Sequence, residues 1–131
     1  LDGLQDFWNK YKILKKPNYT CSDCPIKKNC DLCKHAFYRL DLFVNKKVIN
    51  QIKFIEQLNK NDISCLVGSC PEIYREKIFK KLYFYPKKRL SNAKLLGETS
   101  VMFRINPNKS LSLIKREINV IKKILNSYTK S

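Results

Sequence analysis

Hydrophobic and polar residues recur along this chain with two periods, one typical of helices and one typical of strands. Within Leu1–Leu14, Leu4, Phe7, Trp8 and Tyr11 follow helical spacing, and Pro17 ends the helix. Over His35–Val44 the pattern changes to alternation, with one apolar face made of Ala36, Tyr38, Leu40, Leu42 and Val44. That alternation predicts a half-buried strand with His35, Arg39 and Asp41 on its other face.

The middle of the chain predicts a helix and a second strand. Over Lys47–Leu58 an amphipathic helix carries a buried stripe, predicted as Val48, Ile52, Ile55 and Leu58. After a turn at 59–62, Ile63–Val67 reads as a strand that Gly68 breaks. Gly68 also opens a tight loop, Gly68–Pro71, which a short helix follows.

The last third predicts a helical turn, a strand and a long helix. In Asn92–Asn106 the helical turn is expected to end at Gly97, in the left-handed conformation that glycine tolerates. The strand Val101–Ile105 follows, with Val101, Phe103 and Ile105 on one face. Pro107 closes it, because proline cannot continue a central ladder. The helix Ser112–Tyr128 has its apolar stripe at Ile114, Ile118, Ile121 and Leu125.

These elements predict an α+β fold: a small three-stranded sheet with helices packed on one face. The 131 residues suit one domain, and 44% of them are hydrophobic, enough for a core. No apolar run approaches the roughly 18 residues of a membrane-spanning helix, and no secretion signal is evident, so we expect a cytoplasmic protein without membrane contact. The sequence begins at Leu1 in what reads as mid-helix, which suggests a fragment or an unusual start codon.

The net charge of +16 raises the question of a nucleic-acid partner. Lysine accounts for 22 of the 27 basic residues, and these lysines are spread along the whole chain. Asparagine and isoleucine, which share A/T-rich codons with lysine, are also abundant. An A/T-rich genome therefore explains this composition better than a polyanionic partner does. Within Lys77–Arg89 basic residues alternate with Tyr83, Phe84 and Tyr85, as in single-strand binding sites, but we favour a solvated basic loop.

Two Cys-x-x-Cys pairs, Cys21/Cys24 and Cys30/Cys33, form the most distinctive chemical pattern. Four thiolates can hold a tetrahedral ion, and they leave no open position for substrate, so a metal here would be structural. The spacing favours zinc, with an iron–sulfur cluster or free, redox-labile thiols as the alternatives. His35 is expected to begin the next strand rather than to act as a ligand.

Three segments resemble one enzyme family. The segments are HAFYRLDLFV (His35–Val44), SCLVGSCPEIYREKIF (Ser64–Phe79) and LGETSVMFRINP (96–107). In the same order, they are similar to HAYYKYYVFV, IPCxxGSCxEIYxEKAF and LGxTSLMFxxHP of the DegT/DnrJ-type aminotransferases. Those are pyridoxal-phosphate (PLP) enzymes that act on nucleotide-linked keto-sugars. The resemblance implies the small C-terminal domain of such an enzyme over residues 35–131, preceded by a helix and linker (1–20) and the cysteine-rich loop (21–34).

The resemblance also implies where substrate would bind. The loop and helix at 68–75 would line the sugar-nucleotide cleft, with contacts from Ser69, Cys70, Glu72, Tyr74 and Arg75. Tyr74 and Arg75 would stack on, or hydrogen-bond to, a nucleotide diphosphate. Two positions depart from the family pattern, because Asn106 replaces a common histidine and Arg104 replaces an apolar residue. The resemblance therefore carries over no contact that the family makes through that histidine.

The PLP machinery of the family lies on its large N-terminal domain. None of the lysines here lies in a matching Schiff-base motif, and three glycines form no glycine-rich phosphate turn. We therefore expect no transamination by this chain alone and PLP only with a large-domain partner. A homodimer mate is the other expected partner, and a nucleotide sugar for polysaccharide synthesis is the expected substrate. The alternative hypothesis is a zinc-stapled, basic nucleic-acid-binding module.

Overall fold

The computed structural model describes residues 38–82 and 86–129 together with the backbone of one short strand near the N-terminus. The elements in chain order are β1 (Leu14–Lys15), β2 (Arg39–Val44), α1 (Gln51–Asn59), β3 (Cys65–Val67), a 3-10 turn (Ile73–Arg75), α2 (Lys77–Lys81), α3 (Ser91–Thr99), β4 (Ser100–Arg104) and α4 (Leu111–Thr129). The predicted helix before β1 and the predictions for residues 16–37, including the cysteine pairs and His35, lie outside the described residues.

The strands form one antiparallel sheet in the order β1-β2-β4-β3. Leu42 of β2 lies opposite Val101 of β4, and Phe103 lies opposite Cys65 of β3. The predicted α+β fold, with β2, β3 and β4 as its sheet, is confirmed. The structure adds β1, a two-residue edge strand that pairs Leu14 with Val44 where the sequence predicted the end of a helix.

The core lies between one face of this sheet and the helices α1 and α4. Leu42, Val101 and Cys65 on the strands are fully buried, and so are Phe54 and Leu58 of α1. From α4, Ile121 and Leu125 enter the same cluster. Burying one large apolar side chain stabilises a fold by about 1.5–3 kcal/mol, so this cluster is the main source of stability in the described part of the chain.

Helix α1 begins later than predicted, and its buried face differs accordingly. Asn50 caps its N-terminus by accepting a hydrogen bond from the backbone N–H of Lys53 at 3.0 Å. The buried residues are Phe54, Ile55 and Leu58. The prediction that Val48 and Ile52 are buried is wrong: they are 43% and 51% exposed, because the face turned to the sheet is centred on Phe54.

Gly97 does not end a helix, contrary to the prediction. α3 runs through it to Thr99, and no glycine in the described ranges has a positive φ. It lies beside Pro71 instead: a Cβ there would be 3.3 Å from Cγ of Pro71, a tight contact that a small movement of the ring can relieve. Val101 and Phe103 are buried as predicted, whereas Ile105 lies beyond β4 and is 43% exposed.

The ends of two other predicted apolar stripes are also exposed. Tyr38 precedes β2 and is 71% exposed, and Ile114 in the second turn of α4 is 37% exposed. Both lie at the margin of the sheet, where nothing in the described structure covers them fully. Burial of Ile121 and Leu125 on the same helix is confirmed.

The junction between α3 and β4 is held by the start of α1. Nε2 of Gln51 donates to the backbone oxygens of Gly97 at 3.1 Å and Ser100 at 2.6 Å. Nearby, Nζ of Lys46 lies 2.9 Å from the carboxylate of Glu98. These contacts hold the end of α3 against the start of α1. They thereby also position Ser100, which faces the loop after β3.

Candidate functional site

The loop that follows β3 lies unusually close to the start of β4. The backbone N–H of Gly68 donates to the carbonyl of Ser100 at 3.1 Å. A Cβ on Gly68 would lie 2.4 Å from Oγ and 2.6 Å from Cβ of Ser100, so only glycine fits this position without a shift. The next two residues, Ser69 and Cys70, are exposed at the top of the loop. The loop therefore presents a hydroxyl and a free thiol on a fixed backbone.

Glu72 is the centre of a polar cluster just beyond this loop. Its side chain is only 15% exposed. The carboxylate accepts hydrogen bonds from Nε of Arg89 at 2.7 Å and Nη2 of Arg89 at 2.5 Å. Nη1 of Arg75, one turn along the chain, lies 3.7 Å from Oε2 of Glu72. A planar guanidinium paired in this way with a carboxylate has its position fixed in the cluster.

The hydroxyl of Tyr74 completes the cluster. It donates to Oε1 of Glu72 at 2.8 Å and accepts from the backbone N–H of Leu90 at 3.0 Å. Leu90 is the N-cap of α3, so the hydroxyl satisfies a backbone donor next to the start of that helix. Tyr74 therefore links the segment after β3 to the beginning of α3, and its hydroxyl is occupied on both sides.

The charges in the cluster stabilise one another. The hydrogen bond from Arg89 lowers the pKa of Glu72 to about 2, against the opposing effect of burial and with smaller help from Tyr74 and Arg75. In return, the hydrogen bond to Glu72 raises the pKa of the Arg89 guanidinium. Glu72 is therefore ionised at neutral pH and does not serve as a proton donor there.

A cavity of about 200 Å³ opens beside this cluster. Its lining residues are Tyr74, Arg75, Lys80, Pro86 and Arg89. The side chains of Arg75 and Arg89 are 52% and 43% exposed, so their guanidinium groups reach solvent. Three cationic side chains line the cavity, and the carboxylates of both Glu72 and Glu98 interact with one of them, Arg89.

The structure brings together part of the predicted substrate site. Glu72, Tyr74 and Arg75 share the cluster, whereas Ser69 and Cys70 lie on the preceding loop and hydrogen-bond to none of these three side chains. The sequence reasoning missed Lys80 and Arg89. Both belong to the basic run that was predicted to be solvated, and no spacing rule distinguishes the cation that pairs with Glu72 from its neighbours.

The two cysteines in the described ranges have opposite environments. Cys65 is buried, and desolvation raises the pKa of its thiol to about 12 in spite of backbone hydrogen bonds that lower it. Cys70 is exposed. Among the residues that the structure describes, no cluster of His, Cys, Asp and Glu could hold a metal ion. The predicted zinc site at Cys21, Cys24, Cys30 and Cys33 lies outside them and stays a prediction.

A second, apolar groove lies at the other end of the sheet. It encloses about 180 Å³, and its walls include Leu40, Phe103 and Ile118. The ion pair between Nζ of Lys109 and Oε1 of Glu117, at 2.6 Å, lies at its edge. Arg104, the charged residue in place of an apolar one, is an exposed part of the same wall. No helix in the described ranges is long and apolar enough to span a bilayer.

A sequence relative matches most of the chain. An uncharacterized protein of Methanocaldococcus jannaschii, MJ1066, is 30% identical over 94 residues, which is 70% of this chain and 24% of that protein. No family model matches the sequence. The chain thus spans about a quarter of the length of this relative.

Solved structures match nearly the whole chain. An aminotransferase from Psychrobacter cryohalolentis shares 26% identity and superposes with a TM-score of 0.81 over 98% of this chain and 32% of its own. A DegT DnrJ EryC1 StrS aminotransferase from Brucella abortus has a TM-score of 0.64 at 15% identity, over 93% of this chain and 27% of its own. The GDP-4-keto-6-deoxy-D-mannose-3-dehydratase of E. coli, solved with hydrated PLP, has a TM-score of 0.65 at 13% identity. The match covers 92% of this chain and 28% of the dehydratase. Each match covers a third or less of the solved protein.

Proposed function

We propose that this chain is the small C-terminal domain of a DegT/DnrJ-type, PLP-dependent sugar aminotransferase. The substrate class would be a nucleotide-linked keto-sugar for surface polysaccharide synthesis. The observation that carries the proposal is a match over almost the entire chain to about a third of an aminotransferase. A large PLP-binding domain is the partner that this match favours, and a second copy of the chain is a further one.

The residues that the structure describes do not fit a PLP site. Gly68 is packed against Ser100 and Gly97 lies within α3, so neither forms a turn that could cradle a phosphate through its backbone. No lysine lies in a Schiff-base motif of the family, as the sequence already indicates. We therefore assign PLP chemistry to the large domain and derive no step of it from this chain.

The contribution of this chain would be to bind and orient the substrate. Ser69 and Cys70 are exposed on a loop whose backbone is fixed by Ser100, which suits direct contacts to a sugar. Arg75 has a half-exposed guanidinium at the cavity, which suits a contact to a nucleotide diphosphate. Glu72 and Tyr74 are both engaged within the cluster, so we assign them to positioning rather than to direct contact.

A structural zinc at Cys21, Cys24, Cys30 and Cys33 is a separate part of the proposal. It rests on the spacing of the two Cys-x-x-Cys pairs. Metal analysis of the freshly purified chain should give one equivalent of zinc, which the double change of Cys21 and Cys33 to serine should abolish together with part of the thermal stability. Protein without metal and with freely titrating thiols would refute the zinc site.

We also propose a cytoplasmic location. Cys65 and Cys70 are free thiols, the state that reducing compartments maintain. A reducing cytoplasm is also compatible with thiolates held by a metal rather than joined in disulfides.

The function can be tested by joining the chain to a large domain. We expect the DNA preceding the codon for Leu1 to encode a domain with a PLP-binding lysine. The two domains together should transfer an amino group to GDP-4-keto-6-deoxy-D-mannose or a related nucleotide-linked keto-sugar, and the chain alone should not. Amino transfer by the chain alone, or no amino transfer when both domains are present and PLP is bound, would contradict the proposal.

A further inference from the structure

The apolar groove at the end of the sheet brings together the two positions at which this chain departs from the family pattern. Arg104 is the last residue of β4, Asn106 follows it by two residues, and both line the groove. In the family segment that this stretch resembles, the two positions carry an apolar residue and a histidine. Because both departures meet at one groove, we expect them to have changed what the groove binds.

We infer that this groove binds a small carboxylate with an apolar body. Arg104 and Asn106 hold the carboxylate, and the apolar body lies between the sheet and α4. The groove shares no lining residue with the cavity beside Glu72, and the inference does not rest on the proposed function.

The walls of the groove are mostly aliphatic and aromatic. Leu40 of β2 lies opposite Phe103 of β4, and Ile114 and Ile118 come from one face of α4. The groove measures about 180 Å³. A cavity of about 150 Å³ lined by side chains of this kind binds benzene in another protein, so one aromatic ring or one branched aliphatic group fits this space.

Arg104 carries a charge that no ion pair in the described ranges neutralises. It is exposed, and none of the ion pairs within residues 38–82 and 86–129 involves it. In the register of β2 and β4 it lies opposite Arg39, whose Nε is 3.2 Å from the carboxylate of Asp41. Like charges directly opposite each other destabilise a sheet, so an anion bound at Arg104 would relieve this repulsion.

Asn106 supplies hydrogen-bond donors near this cation. Its Oδ1 accepts from the backbone N–H of Asn108 at 2.9 Å, which leaves both N–H groups of Nδ2 for another acceptor. Guanidinium and amide N–H groups both donate to carboxylate oxygens, and the bond from a guanidinium is the stronger one because it is charged. The two departures therefore together provide the donors that a carboxylate needs.

The carboxylate that already lines the groove is occupied by a lysine. Nζ of Lys109 lies 2.6 Å from Oε1 of Glu117, and these side chains are 23% and 19% exposed. The two charges balance each other, which leaves Arg104 as the uncompensated charge among the residues that line the groove. A second copy of the chain is a poor occupant, because each copy would bring its own Arg104 and a net charge of +16 to the contact.

The test is an NMR titration of the 131-residue chain, carrying ¹³C-labelled isoleucine methyl groups, with phenylacetate. The methyl signals of Ile114 and Ile118 should shift with a saturable dependence on phenylacetate concentration. The signals of Ile52 and Ile78, which lie on other helices and do not line the groove, should not shift. Acetate lacks the ring and phenylacetamide lacks the charge, so each should bind at least about fivefold more weakly.

Two substitutions test the carboxylate contacts. Arg104→Gln removes the charge, so it should weaken phenylacetate binding by about 10-fold and change phenylacetamide binding by less than about twofold. Asn106→Asp keeps an oxygen for the N–H of Asn108 but replaces the two donors with a negative charge, and it should weaken phenylacetate binding by at least as much. Arg116→Gln is the matched control, because Arg116 is exposed on α4 and does not line the groove, and it should change the affinity by less than about twofold.

Several results would overturn the inference. Absence of saturable shifts at Ile114 and Ile118 would refute the site, and equal affinities for phenylacetate and phenylacetamide would refute its preference for a carboxylate. Equal losses in Arg104→Gln and Arg116→Gln would mean a general attraction of anions. Shifts of Ile114 that follow protein concentration without any ligand would show that a second copy occupies the groove. The titration uses neither PLP nor an amino donor, so none of these results bears on the aminotransferase assay.

Discussion

The guanidinium of Arg89 is joined to the carboxylate of Glu72 through two nitrogens, at 2.7 Å from Nε and 2.5 Å from Nη2. The two residues come from opposite ends of the segment between β3 and α3. Tyr74 adds a hydrogen bond to the same carboxylate and another from the backbone of Leu90. The pair therefore organises the cavity and also fastens the surrounding segment to the start of α3.

The Glu72–Arg89 pair should make stability depend on pH in the acidic range. Since the pKa of Glu72 is about 2 in the folded chain against an ordinary value of 4.5, its contribution is fully present above about pH 4.5. It is lost progressively as the pH falls toward 2. Urea unfolding at several pH values should show wild type more stable than Glu72→Gln at neutral pH, with a difference that shrinks below pH 4.5. Glu56→Gln, an exposed change on α1, should show no such trend. A Glu72→Gln difference that stays constant with pH would contradict this prediction.

Replacing Tyr74 by phenylalanine removes one hydroxyl and leaves the ring. The substitution breaks the bond to Glu72 and leaves the N–H of Leu90 without that acceptor. We expect a loss of about 1–2 kcal/mol in the free energy of unfolding, as for a net hydrogen bond with a charged partner. Chemical denaturation measures it, with Tyr38→Phe as the comparison because Tyr38 is 71% exposed. Similar losses in the two variants would show that the hydroxyl of Tyr74 has no special role.

Alanine should be tolerated at one glycine and not at the other. At Gly68 the new Cβ would lie 2.4 Å from Oγ of Ser100, so the loop must shift, and we expect a destabilisation of about 1–3 kcal/mol. At Gly97 the nearest atom is the ring of Pro71 at 3.3 Å, and alanine favours the helix interior by about 0.5–1 kcal/mol. Gly97→Ala should therefore change the melting temperature much less than Gly68→Ala. Equal effects would mean that the approach of Gly68 to Ser100 is not a real constraint.

The two described thiols should differ strongly in reactivity. Desolvation raises the pKa of Cys65 to about 12 from 9.0, which at neutral pH lowers its thiolate fraction by roughly 1,000-fold, before steric protection is counted. Cys70 is exposed on its loop. Brief alkylation followed by peptide mapping should modify Cys70 in the folded chain and Cys65 only after unfolding in urea. Rapid labelling of both in native buffer would show that the β3 edge opens readily.

The sequence was sufficient for strands β2, β3 and β4 and for much of the core, but it did not reveal β1. Alternation in β2 and the spacing of Ile121 and Leu125 in α4 identified buried residues correctly, because these elements each present one face to a single core. The same reasoning failed at Val48 and Ile52. Periodicity alone does not reveal where a helix begins, and a shift in the start changes which residues face the sheet.

The site was less predictable than the fold. Glu72, Tyr74 and Arg75 were found because a short motif carried them, but the motif says nothing about their partners. The decisive partner, Arg89, comes from a basic run in which several cations are chemically equivalent along the sequence. Only the three-dimensional fold shows which of these cations pairs with Glu72. The prediction that Gly97 ends its helix failed for a similar reason. The sequence does not show that the helix continues to Thr99 or that Gly97 lies beside Pro71.

The Glu72–Arg89 pair has a consequence for how this part of the chain can vary. Since Glu72 and Arg89 are joined to each other, they close the intervening segment at its base, and residues 73–82 and 86–88 of that segment lie outside the sheet and the buried core. Doubling the length of such a loop costs only about 0.6 kcal/mol in closure entropy. Insertions and exchanges there can therefore accumulate while β3 and β4 keep their register. Evolution can therefore change the residues of this segment, and with them the chemistry of the cavity, while the sheet and the core stay the same.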